Sequence, residues 1–273
     1  MPMVNLDLAA STAVLAAEAA GALLRDGLAG PVSARAKDAS GDVVTDLDLA
    51  AEAVIVDRLR RDFPDQPILT EEAGLLDARD EHWTWLVDPL DGTNNVAVGL
   101  HVCAVGIALC RDGIPMVGVV HDPVADVTWS AIRGRGATGP DGLMLPDPAS
   151  RAGGRILSWV QGYAVRKGDQ RALALRLALE NDSRRLIQLW APLLCWVMLA
   201  RGDIDGFVGY RAGYVDLPAG MLIAQEAGVI VADFTGAPLT ARLDQDGIDF
   251  VAARPGVLAE LLTTLRAGQP VIH

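Results

Sequence analysis

The stretch Trp83-Thr-Trp-Leu-Val-Asp-Pro-Leu-Asp-Gly-Thr-Asn-Asn95 restricts what this chain can fold into more than any other. It opens with the apolar run of a buried strand and changes character at Asp88. Asp88 and Asp91 stand three residues apart across Pro89, and Gly92 and Thr93 follow at once. Like charges this close repel unless a cation lies between them. Hard oxygen ligands at a strand end suit Mg²⁺. Gly92 lets the backbone approach a ligand closely, and a short helix starting near Thr93 would turn free N–H groups toward an anion such as phosphate. Metal ligands and a phosphate cradle this close together suggest metal-assisted phosphoryl transfer. Asp, Pro, Gly and Asn also build ordinary acidic turns, so the reading depends on agreement elsewhere in the chain.

The stretch resembles the Asp-Pro-(Ile/Leu)-Asp-Gly-Thr signature of the inositol monophosphatase family, part of a superfamily of Mg²⁺-dependent, lithium-sensitive phosphatases. Lys37-Asp-Ala-Ser-Gly-Asp-Val-Val-Thr-Asp-Leu-Asp48 is similar to the family's Lys-(x)₄-Asp-x-Val-Thr-x-x-Asp motif. By its residues alone this segment is a polar turn before a helix over about 45 to 61, with Thr45 as N-cap and Asp46 and Asp48 in the first turn. The resemblance adds that Asp48 and Thr93 position the attacking water, with Asp42 and Thr45 in supporting places. Ile68-Leu-Thr-Glu-Glu72 reads as a short strand ending in two acids. The family has a Glu pair here, which implies that Glu71 is a metal ligand that also polarises the water and that Glu72 is a supporting neighbour. Tyr214-Val-Asp-Leu-Pro-Ala-Gly220 resembles the family's Trp-Asp-x-Ala-Ala-Gly, with Val215 and Pro218 as departures. The family's Asp, here Asp216, binds the second metal and faces the substrate; by its residues alone Asp216 is a helix N-cap with Pro218 in the first turn.

The resemblance implies a layered α+β or α/β sandwich of alternating α-β-α-β-α layers, as in inositol monophosphatase and fructose-1,6-bisphosphatase. Residues 4–27 carry Leu6, Ala10, Ala13, Ala17, Ala20 and Leu24 at helical spacing. Strands are expected over 102–111, 115–121 and 126–132, the first two joined by an Asp112-Gly113 hairpin. Arg133-Gly-Arg-Gly-Ala137 reads as a turn, with phosphate binding as the second reading. The Pro-, Gly- and Asp-rich run 139–153 divides an N-terminal half, 1–145, holding most metal ligands, from a C-terminal half, 146–273, holding the last ligand and the substrate pocket. Strands near 155–160, 184–189, 204–209 and 249–253 alternate with helices near 168–180, 190–200 and 256–266.

What the resemblance implies about chemistry is specific. Glu71, Asp88, Asp91, Asp216 and the Leu90 carbonyl hold two or three Mg²⁺ ions, with Asp88 bridging. Asp48, Thr93 and Glu71 orient the water and take its proton, and Asp91, Gly92, Thr93 and Asp216 contact the substrate. The resemblance weakens where substrate is chosen. Trp190-Ala-Pro-Leu193 stands where relatives have Gly-(Ser/Thr)-Ala-Ala, and Gly209 stands where inositol-cleaving relatives have a Glu. Trp190 either fills the space that Gly leaves open in the pocket or belongs to the core. The substrate class implied is a small phosphorylated polyol, sugar or related metabolite. A histidinol-phosphate, 3′-phosphonucleotide or sugar-bisphosphate phosphatase, and a low-turnover regulatory or binding protein on the same fold, stay open.

The net charge of −12 disfavours broad nucleic-acid or anionic-membrane binding, and so disfavours an RNA-associated regulator. Cys103, Cys110 and Cys195 are odd in number, lie in apolar runs and form no Cys-x-x-Cys, as buried free thiols of a reducing cytoplasm do. The N-terminal stretch lacks a basic region and is interrupted by Asp7 and Glu18, unlike a signal peptide, and no stretch is expected to span a membrane. The family implies a homodimer.

Overall fold

In the computed structural model, which describes residues 4–37, 41–76, 80, 82–144, 154–239 and 247–268, the chain alternates between sheets and helices. Its first part runs α1 (Leu6–Leu28), β1 (Ala34–Ala36), β2 (Val43–Thr45), α2 (Asp46–Asp62), β3 (Ile68–Thr70), β4 (Gly74–Leu76), β5 (Trp83–Asp91), α3 (Thr93–Ala97), β6 (Ala104–Arg111), β7 (Ile114–Asp122), β8 (Val127–Ile132), β9 (Ala137–Gly139) and β10 (Gly142–Leu143). It continues β11 (Ile156–Gln161), α4 (Gln170–Asn181), β12 (Arg185–Ile187), α5 (Pro192–Arg201), β13 (Gly206–Ala212), α6 (Pro218–Glu226), β14 (Ile230–Ala232), β15 (Ile248–Ala253) and α7 (Pro255–Ala267). The expected division at 145/146 lies outside the described residues.

Apart from the β1-β2 ribbon, one sheet has the order β10-β9-β8-β7-β6-β5-β3-β4 and another the order β12-β11-β13-β15-β14. The first is antiparallel except where β3 runs parallel to β5. In the second, β11 is parallel to β12 and β13, whereas β15 runs against β13 and β14. The expected Asp112-Gly113 hairpin is present, with φ of 50° and 80° at its two central residues, the left-handed pair that a tight hairpin needs.

The layers follow from residue size along β6. Its side chains alternate, so Val105, Ile107 and Leu109 face one way and Ala104, Gly106, Ala108 and Cys110 the other. The large set joins the core beneath α1 and α2. The small set lets α5 and α6 approach closely: a Cβ at Gly106 would lie 2.4 Å from Leu193, and one at Gly118 on β7 would lie 2.6 Å from the Ala219 carbonyl oxygen. A second core, centred on Trp196, Phe207 and Phe250 with ring centroids 5.0–5.1 Å apart, joins α5 and α6 to the five-stranded sheet. A third lies beneath α4 and α7 on that sheet's other face. The order is therefore α1/α2, sheet, α5/α6, sheet, α4/α7, the alternating five-layer sandwich expected from the resemblance.

α1 is capped by Asn5, whose side chain accepts from the N–H groups of Asp7 and Leu8. Its buried stripe is Ala9, Ala13, Ala16, Ala17, Ala20 and Leu24, and Leu6 and Ala10 lie at its edge. Contrary to the expectation from sequence, α1, with 23 residues, is long and apolar enough to cross a membrane by length and composition. Its apolarity has another use here: the alanine face packs on α2 and on β6–β8.

Candidate active site

The site forms at the C-terminal end of β5, where the strand departs from regular pairing. Asp88 pairs with Gly106 and Asp91 with Ala104, so three steps along β5 match two along β6. The extra residue is a β-bulge, and Pro89, which has no N–H to give the ladder, sits inside it. In a regular strand, residues three apart point to opposite faces. The bulge cancels one step and turns Asp88 and Asp91 to the same face.

The chain then enters α3 through Gly92, at φ 92°. A side chain is excluded here twice, by the left-handed backbone and by the Val102 carbonyl oxygen, which a Cβ would approach to 2.6 Å. The helix starts at Thr93, as the sequence suggests; the Asn95 and Val96 N–H groups donate to the Gly92 carbonyl oxygen at 2.9 and 3.2 Å, and the N–H groups of Thr93 and Asn94 lie ahead of the first helical hydrogen bond. Thr93 Oγ1 lies 2.8 Å from both Asp48 Oδ1 and the Leu90 carbonyl oxygen, and its single proton can serve only one of them at a time.

Asp48 comes from the first turn of α2, where it also completes a capping box. Its Oδ2 accepts from the Thr45 N–H at 2.8 Å, and the Thr45 side chain accepts from the N–H groups of Leu47 and Asp48. Capping and site placement are thus compatible roles of one carboxylate. Burial pushes the Asp48 carboxyl above its usual range, and hydrogen bonds from Thr45 and Thr93 oppose that push.

Asp216 behaves differently from the expectation that it caps α6. The N-cap is Leu217, Pro218 is the first helical residue, and no side chain caps the helix. The Asp216 carboxylate instead joins the acids: burial first, then the charges of Glu71 and Asp42, push it up to about 7. Burial, and then Glu71, Asp91 and Asp216, push Asp88 well above the carboxylate range. Burial and Asp216 do the same to Asp91, opposed by the Leu193 N–H of α5, 2.6 Å from Asp91 Oδ2. Glu71, Asp88, Asp91 and Asp216, from three separate segments, therefore share one cluster, in which Asp88 and Asp91 are buried and Glu71 and Asp216 half-buried.

Lys37 supplies its positive charge. The ammonium lies 2.7 Å from Glu71, 2.6 Å from Glu72 and 3.5 Å from Asp42. Burial opposes that charge, but Glu71 and Glu72 outweigh it and raise the lysine above its ordinary value. Burial pushes Glu72 up to about 7 against the pull of Lys37.

The donors are all oxygens, and burial with mutual repulsion penalises their charges, which a divalent cation would relieve. The set fits Mg²⁺ by chemistry. Among the described residues no group of three or more His, Cys, Asp or Glu side chains is arranged to hold a metal ion as it stands.

Four further groups shape the site beyond those in its motifs. Glu52 on α2 accepts from the N–H groups of Glu72 and Ala73, both at 3.3 Å, and steadies the turn carrying Glu71. Asn95 donates to the Val102 and Leu189 carbonyl oxygens at 2.8 and 2.6 Å, clipping the loop after α3 to the segment before α5. Asn94 donates to the Tyr163 hydroxyl at 2.8 Å, and the Leu193 N–H holds Asp91. Only Glu52, four residues after Asp48 on one helix face, had a sequence signal.

The substrate-side departures also have physical causes. Trp190 is 62% exposed, which removes the core reading. Gly209 lies under Phe250, whose ring a Cβ would approach to 2.1 Å, so no side chain fits there. The turn at 133–137 is away from the acids: the Gly134 and Gly136 N–H groups each donate to the Glu226 carboxylate at 2.8 Å, which takes the donors a phosphate would need.

Five alternating layers around a carboxylate cluster at a bulged strand end define the class to which this fold and site belong. A model of the inositol monophosphatase family matches residues 5–269, and the chain belongs to that family. It is 34% identical over 269 residues to the Nus factor SuhB of Escherichia coli K12, covering 97% of this chain and 96% of that protein. It is 35% identical to the Nus factor SuhB of Pasteurella multocida, covering 83% and 84%. Among solved structures, the extragenic suppressor protein suhB of Bartonella henselae superposes with a TM-score of 0.84 at 27% identity, covering 94% of this chain and 98% of that one. An inositol monophosphatase from Anabaena gives 0.80 at 28% identity, covering 98% and 99%.

Proposed function

We propose that this protein is a Mg²⁺-dependent phosphatase of small phosphomonoesters, acting in the cytoplasm as a homodimer. The observation that carries the reading is the joining of the four-acid cluster to the Asp48–Thr93 pair through the bulged end of β5.

Glu71, Asp88, Asp91, Asp216 and the Leu90 carbonyl would hold the Mg²⁺ ions, two or three by the family's pattern. When bound, Mg²⁺ supplies Lewis acidity, neutralising phosphate charge and lowering the pKa of water. Thr93 would give its proton to Asp48 if the Leu90 carbonyl served a cation, and its oxygen would then accept from the attacking water. Asp48 and Glu71 then hold the proton the water gives up. The N–H groups of Gly92 and Thr93 face the phosphoryl oxygens. The water oxygen bonds to phosphorus, the ester P–O bond breaks, and the leaving alkoxide takes a proton from solvent while the proton held by Asp48 or Glu71 returns to solvent.

The test is phosphate release from a panel of phosphomonoesters, with Mg²⁺ and with EDTA, by wild type and Asp88→Asn. Mg²⁺-dependent release that Asp88→Asn lowers by a factor of about 10³ or more is the expected result. Absence of release from every ester by folded, Mg²⁺-binding protein would overturn the reading.

A second reading, a regulatory or binding protein on the same fold, is favoured by the name Nus factor carried by the 34% identical relative. The charge of −12 weighs against general nucleic-acid binding. A gel-shift titration at low salt separates the two readings, because a binding role survives Asp88→Asn and the phosphatase role does not.

A further inference from the structure

Trp190 combines two costly features. It is a large aromatic 62% exposed to solvent, and its φ of 52° lies in the left-handed region that favours glycine. Strain of this kind persists where the surrounding structure enforces it, and it gathers at ligand sites. Both flanks of Trp190 are tied to the Asp91–Asn95 turn: Leu189 through the Asn95 side chain at 2.6 Å, and Leu193 through Asp91 at 2.6 Å. The backbone that carries Trp190 is thereby held beside the Asp91–Asn95 turn.

A second aromatic is tied to the same turn. Tyr163 is 49% exposed, and its hydroxyl accepts from Asn94 at 2.8 Å. Burial, opposed by Asn94, and then the charges of Asp42, Asp216 and Glu71 raise its phenol above the ordinary value, which places Tyr163 within the field of the acids. Val98, 73% exposed, and Leu100, 50% exposed, lie on the loop that Asn95 clips to Leu189. The rim of the site beside this turn therefore offers aromatic and apolar surface. Hydroxyl recognition by a side chain at position 209 is closed off, because the Phe250 ring fills that space.

On the reading that this site hydrolyses a phosphomonoester, we propose that the alcohol part of the substrate carries an aromatic or heteroaromatic ring, which lies against Trp190 and Tyr163. Flat rings stack or meet edge-to-face with such side chains, whereas a polyol gains little from them.

Trp190→Gly tests this without endangering the fold, because glycine relieves the left-handed strain. Trp190→Phe keeps a ring. The probes are 2-phenylethyl phosphate and glycerol 1-phosphate with Mg²⁺, and the readout is the ratio of their kcat/KM values. Wild type is expected to prefer the aryl ester about tenfold or more, Trp190→Gly to lower that ratio about tenfold through KM, and Trp190→Phe to keep most of it. A ratio unchanged in Trp190→Gly, or a wild-type preference for the glycerol ester, overturns the proposal and leaves the phosphatase reading intact. Binding is read separately by the tryptophan fluorescence of wild type minus that of Trp190→Phe on titration with non-hydrolysable 2-phenylethylphosphonate. Saturable quenching without turnover of any ester supports the ring site while sinking the phosphatase reading. A signal that follows protein concentration and not ligand makes this rim an interface between copies of the chain, and overturns the proposal.

Discussion

Gly92 shows how closely one position can be specified. Its φ of 92° disfavours any side chain, and the atom a Cβ would meet, the Val102 carbonyl oxygen at 2.6 Å, belongs to backbone that cannot swing aside. Gly92→Ala should cost about 2 kcal/mol or more, measured by urea unfolding. The same substitution displaces Thr93, so activity should fall further than the stability loss explains. A variant as stable as wild type would show that the turn relaxes freely.

At the scale of elements, the start of α2 links local stability to the site. The Asp48 carboxylate gives Oδ2 to the capping box and Oδ1 to Thr93. Thr45→Ala removes the cap and should cost about 1 kcal/mol, read from the denaturation midpoint. It also frees Asp48 to turn away, so phosphate release should drop by about tenfold or more, and Thr45→Ser should restore most of both. A loss of stability with full activity would separate the cap from the site. The β5 bulge acts in the same way on the acids: without its extra residue, Asp88 and Asp91 would face opposite layers.

At the scale of the molecule, the buried acids tie stability to pH and to metal. Asp216 and Glu72 are both raised to about 7 from ordinary values near 4. In that interval the folded protein holds protons that the unfolded chain has lost, so metal-free stability falls as pH rises and the full cost is present above about 7. His121, lowered by burial, acts in the opposite sense below about 6.5, which sets the lower end of the useful window. In EDTA the melting temperature should therefore rise as pH is lowered from 8 to 6.5. Mg²⁺ should raise it at both values and more at pH 8, where no proton competes for the carboxylates. Thermal melts at the two pH values check this, and a flat metal-free profile would contradict a single coupled cluster.

The sequence by itself determined the long elements and the chemical inventory, but not the short strands β1, β4, β10 and β14. Helical and strand periodicities, the Asp112-Gly113 hairpin and the acids of the Asp-Pro-Leu-Asp-Gly-Thr run were legible because they depend on neighbours only a few residues away. The five-layer order was legible only through resemblance. Tertiary structure alone decided which of two local readings each acid follows. Asp216, a cap by its neighbours, is turned into the cluster because Leu217 and Pro218 open α6 without it. Asp88 and Asp91 share a face because β6 offers two residues where β5 has three. Asn94, Asn95, Tyr163 and the Leu193 N–H act across 7 to 102 residues of chain, a range at which no sequence pattern records a partner. Trp190 is exposed and strained, rather than buried, because contacts on both its flanks hold the backbone where local preference would not leave it.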